Sequence, residues 1–121
     1  MRPSVHLDDE NIPEPDIFWV SGPDSKCKLG DNGYYYGAPD RVIEILSPSS
    51  VRRGRRTKFA LYQRHGVREY WLVDPEAESI EVWRLEGQQF VRVGVFGVDQ
   101  TFVSSVLFGL TINVKAALGD E

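Results

Sequence analysis

Cysteine is nearly missing from this chain: Cys27 stands alone among 121 residues. One thiol closes no internal disulfide and has no companion for a zinc site, so stapled and zinc-built small domains are excluded. The thiol reads as unreactive and fits a reducing compartment. Long apolar runs are missing too, and none approaches membrane-spanning length. The first fifteen residues, MRPSVHLDDENIPEP, lack the apolar stretch of a signal peptide. A cytoplasmic location and no membrane partner are therefore expected. Positive charge is also short, with a formal net charge of -4, which argues against a general nucleic-acid coat. There is no internal repeat and no low-complexity segment.

What is present describes an ordinary globular chain. It is 41% hydrophobic and 26% charged, with one domain as the natural expectation. Six Phe, five Tyr and three Trp supply apolar area for a core. Charge is unevenly spread. Residues 52–58, RRGRRTK, hold five basic side chains, while acids gather in the first 24 residues, in 74–81 and at the C-terminus.

Residues 1–15, with three prolines, read as an irregular arm, and 16–121 as the domain. IFWVS (17–21) is β-branched and aromatic, as a short buried strand would be, with Asp16 at its mouth. Residues 22–38 form a long connection with a turn at Asp31-Asn32-Gly33. The tyrosines that follow either cover the sheet edge or stack on bases. RVIEIL (41–46) is apolar on both faces, as in the central strand of a covered sheet. After SPSS, with Ser49 or Ser50 as cap, a helix is predicted from about Val51 to His65, and Gly66 offers a left-handed stop. REYWLVDP, SIEVWRL and FVRVGVF read as three strands of an antiparallel meander. The tail holds one more short strand or turn and a terminal helical turn.

Glu44 is the informative residue. A carboxylate flanked by Val42, Ile43, Ile45 and Leu46 loses hydration, at a cost of several kcal/mol unless a cation or donors compensate. It is either a metal ligand or acid/base group, or half of a buried ion pair. Asp16 opens a second apolar strand. If the two strands are neighbours, both carboxylates meet at one end of the sheet, and two hard oxygen ligands there suit Mg²⁺. Lys58 lies on the helix after Glu44 and is either a surface lysine or a group that steadies charge on a phosphate. Tyr62 shares its helical face. Arg52, Arg53, Arg55 and Arg56 load the first turns of the helix, where cations oppose the dipole. They suit either solvent or docked phosphates.

The strings EPDIFWV, APDRVIEILSPSS and KFALYQRHGVREYWLVDPEAESIEVWRL, in this order, resemble the Uma2 (DUF820) family. SSVLFGLTINV is similar to that family's ending. The resemblance implies a restriction-endonuclease-like α/β fold of the PD-(D/E)xK nuclease group, a mixed sheet with flanking helices. By the same resemblance Asp16 and Glu44 are the two acids, and the carbonyl of Ile45 is a further ligand for Mg²⁺ or Mn²⁺. Lys58 stands in for the usual lysine two residues after Glu44, where this chain has Leu46. Tyr62 would orient Lys58, and the four arginines would guide DNA. Residues 1–15 do not match the family's N-terminal helical region, so that part of the fold is expected to be missing and a homodimer or another partner to cover the open face. The expected function is Mg²⁺-dependent hydrolysis of DNA. The rivals are an inactive remnant serving as a dimerising or nucleic-acid-binding module, and a structural protein with a Glu44–Lys58 ion pair.

Overall fold

RVIEI forms strand β5 (Arg41–Ile45), and its alternation explains the layers of the molecule. Side chains along a strand point to opposite faces by turns. Val42 therefore enters one apolar cluster, with Tyr62, Val67, Tyr70 and Leu72, while Ile43 enters another, with Trp71, Ile80, Val82 and Phe102. A strand buried on both faces must sit inside a sheet. The computed structural model of the chain describes residues 4–47, 55–104 and 110–118, the side chains of Arg55, Arg56 and Leu110 excepted.

The main sheet has five strands in the order β2 (Ile17–Trp19), β5, β6 (Glu69–Asp74), β7 (Ser79–Glu86), β8 (Gln89–Gly97). β5 and β6 run parallel, and the helix α1 (Arg55–His65) lies on the crossover between them. The other neighbours are antiparallel, so β6, β7 and β8 form the expected meander. α1 covers the Val42 face: Phe59 and Tyr62 pack into that cluster, and Gln63 Oε1 accepts the Phe90 amide at 2.7 Å. Gly66, at φ +83°, supplies the left-handed stop. The opposite face is covered by the hairpin β9 (Thr101–Ser104) with β10 (Leu110–Asn113) and the turn α2 (Val114–Ala117), capped by the Asn113 side chain.

Three expectations change. β2 is a rim strand rather than a buried one, and Ile17 is 48% exposed. The connection 22–38 is not plain loop: β3 (Lys28–Leu29) and β4 (Tyr35–Tyr36) join β1 (Val5–His6) in a small separate sheet. Thus the first segment is irregular for most of its length, but Val5 is fully buried where its strand pairs with β4. Two-residue strands lie below any pattern that alternation can reveal. The predicted cap at Ser49 or Ser50 and the start of the helix before Arg55 lie outside the described residues.

Candidate active site

β2 and β5 pair with Ile17 opposite Ile43 and Phe18 opposite Val42. Continuing that register by one residue sets Asp16 across from Glu44, on the face that α1 covers. Directly opposed cross-strand side chains have Cβ atoms about 5 Å apart. Asp16 Oδ2 accepts the amide of Ile45 at 2.8 Å, which fixes its carboxylate against the end of β5. The acidic pair thus follows from strand alternation and antiparallel register.

α1 completes the cluster from above. The Tyr62 hydroxyl donates to Glu44 Oε2 at 2.9 Å, and Lys58 Nζ approaches the same oxygen at 3.5 Å. Residues 58 and 62 are one helical turn apart and share a face. Tyr62 is fully buried, whereas the Lys58 side chain is 40% exposed. Tyr62 therefore orients Glu44 directly, and bears on Lys58 only through the oxygen the two share. Lys58 reaches the site by its stem and keeps access to solvent.

Burial is the main reason the Glu44 carboxyl is raised above its usual range, and the Asp16 charge adds to it; Tyr62 and Lys58 work the other way. Burial, and then the Glu44 charge, drives the Tyr62 phenol far upward, so it stays a donor throughout the ordinary pH range. Two nearby acids, one of them desolvated, form a site that a cation would relieve. Among the described residues no three His, Cys, Asp or Glu side chains cluster in the manner of a full protein cage. Mg²⁺ is commonly held through only one or two carboxylates with the rest of its shell water, so the Asp16–Glu44 pair suits such an ion.

Of the guiding arginines, Arg52 and Arg53 lie outside the described residues. Arg55 and Arg56 open α1, whose first turn holds no acid. The structure adds an anchor that the sequence reading did not single out. The buried Asp40 accepts Ser25 Oγ at 2.6 Å and the Ser21 amide at 2.8 Å, with Arg68 at 3.4 Å. Burial would raise its carboxyl, but those bonds outweigh burial and hold it below the usual range. The Asp40 amide also donates to the Trp19 carbonyl, tying down the far end of β2. The recurrence of Pro-Asp at 15–16 and 39–40 is the sequence signal by which it could have been found.

Comparison with known proteins bears on the family and the fold. The model of the Uma2 family, described as "Putative restriction endonuclease", matches residues 2–115. A crystal structure of "a putative nuclease belonging to DUF820 from Anabaena variabilis ATCC 29413" superposes with a TM-score of 0.70 at 26% identity. The match covers 98% of this chain and 65% of that nuclease, so the chain spans just under two thirds of its relative's length. A search of curated proteins finds no match. No helix among the described residues is long and apolar enough to cross a membrane. With the matched segment running over nearly the whole sequence and the fold shared, the chain belongs to the Uma2 family.

Proposed function

We propose that the chain is a divalent-metal-dependent endonuclease that hydrolyses phosphodiester bonds in DNA. The observation that carries the proposal is the meeting of Asp16, Lys58 and Tyr62 around one buried carboxylate, Glu44. In the reaction a water oxygen bonds to phosphorus, the bond to one ester oxygen breaks, and that oxygen leaves with a proton. Mg²⁺ or Mn²⁺, held by Asp16, Glu44 and the carbonyl of Ile45, would supply Lewis-acid charge for this chemistry. Tyr62 keeps Glu44 in one orientation. Lys58, solvent-accessible and beside the acids, places an ammonium group against the charge that builds on the phosphoryl oxygens. Arg52, Arg53, Arg55 and Arg56 provide contacts to the backbone of the nucleic acid.

A homodimer in the cytoplasm completes the reading. Val91, Val93 and Val95 are exposed on the rim strand β8, and the lone thiol suits reducing conditions. Light scattering would then give twice the chain mass of 13.7 kDa.

The test is nicking of a supercoiled plasmid with Mg²⁺ or Mn²⁺. Wild type should nick, Asp16→Ala and Glu44→Gln should fall to background, and Lys58→Met should lose about 100- to 1000-fold, the scale for removing one charge-stabilising donor. Equal nicking by wild type and Asp16→Ala removes the assignment. If wild type does not nick but still binds DNA, the chain is the non-catalytic module instead.

A further inference from the structure

β2 forms the rim of the main sheet, and its outer edge pairs with no described strand. A cleft of about 430 Å³ runs along it, lined by Asp16, Ile17, Phe18, Trp19, Val20 and Tyr35. That volume is within the range of small-ligand sites. Phe18 and Trp19 point to opposite faces of the sheet, so a cleft that touches both lies on the free edge itself. Asp16 belongs to two places at once: its carboxylate is bonded to Ile45 beside Glu44, and the residue walls the cleft.

The chemistry of the lining is one-sided. Apart from Asp16, every lining residue is apolar or aromatic, and none is cationic. Affinity for intact duplex comes largely from cations set against its phosphates, and this cleft supplies none. Here Lys58, on α1, is the described cation beside the acids, and the β2 side offers rings. The part of a nucleic acid that suits a ring-lined cleft is the face of an unstacked base.

Resting on the nuclease reading, we infer that the site takes a strand whose base beside the scissile phosphate is unstacked, in single-stranded or extrahelical form, and that this base seats against Trp19 and Tyr35. Phe18 braces the seat: its ring meets the Tyr35 ring edge-on, with centroids 5.0 Å apart and planes at 80°, while it packs against the Val42 cluster. Stacking accepts any base, so the preference is for unpaired structure and not for a sequence.

The experiment is fluorescence anisotropy of the full chain with a labelled 12-nucleotide single strand and with its blunt duplex, Ca²⁺ replacing Mg²⁺ so that binding is read without cleavage. Wild type should bind the single strand at least tenfold more tightly. Trp19→Ala and Tyr35→Ala should each weaken single-strand binding by about five- to 150-fold, the range for losing one stacked base. Both should leave duplex binding unchanged, and Tyr35→Phe should restore wild-type affinity. Equal or tighter duplex binding by wild type overturns the inference, as does single-strand affinity that neither alanine changes. The wild-type comparison needs no variant and decides the matter even where an alanine variant fails to fold. A protein that cuts duplex as readily as single strands retains the nuclease reading and loses this one; a protein that cuts neither loses both.

Discussion

Cys27 shows how a single side chain reports its surroundings. It is buried, and burial together with the nearby Asp40 charge pushes its thiol up to about 11 from an ordinary 9.0. The thiolate is the nucleophile, so at pH 8 an alkylating reagent should leave native Cys27 unmodified and react readily once urea unfolds the chain. The thiol is raised in the folded state, so its contribution to stability is complete below about pH 9 and is lost as pH rises through about 11. Urea midpoints measured from pH 8 to 11 should fall accordingly, and a Cys27→Ala chain should lack this part of the decline. At the same scale, Glu44 was legible in the sequence because a charge among four apolar neighbours demands an explanation. The run that holds Tyr35 was legible as sheet cover or base stacking, whereas Trp19 was not, since an aromatic residue in a strand explains itself by packing.

Among the elements, β5, α1 and the three-strand meander could be read directly, because each is long enough to show its period. β6 (Glu69–Asp74) and β7 (Ser79–Glu86) keep to their predicted segments within about a residue. The small sheet of β1, β3 and β4 escaped notice, because each of its strands has two residues. Pairing across distant segments holds it, and no local pattern records that. Gly37 shows how tight the junction is. It has φ +94°, and a Cβ there would run into the carbonyl of Lys26. Gly37→Ala meets both a left-handed backbone and a main-chain clash, and should cost at least about 2 kcal/mol, measured by urea unfolding. Gly33 has φ +87° but open space around it. Gly33→Ala should cost only about 1 kcal/mol, and the contrast separates clash from strain.

For the whole molecule, charge sets how it can meet a polyanion. With a net charge of -4 and five basic residues in the run 52–58, about five phosphate contacts are the most that run can make. On single strands that limits the slope of log K against log salt concentration to about -3.5. Binding titrations at several salt concentrations would show a steeper slope only if further cations take part. The site was legible at this scale only in part. Local sequence put Lys58 near Glu44, because one crossover joins them, but Asp16 arrives from 28 residues away through a register that alternation alone does not fix.

Three paired residues join β2 to its neighbour strand, and no described strand pairs with its other edge. Asp16 rides on that short rim, whereas Glu44, Tyr62 and Lys58 are anchored to the interior. Strands at a sheet margin detach at far smaller free-energy cost than the body of a domain. Deuterium should therefore replace the amide protons of Ile17–Trp19 at least about tenfold faster than those of Val42 and Ile43. Each such excursion would take away one acid and leave the other three groups in register, so exchange at β2 that is faster than at β5 would mean that the proposed metal site comes apart and re-forms within one folded molecule.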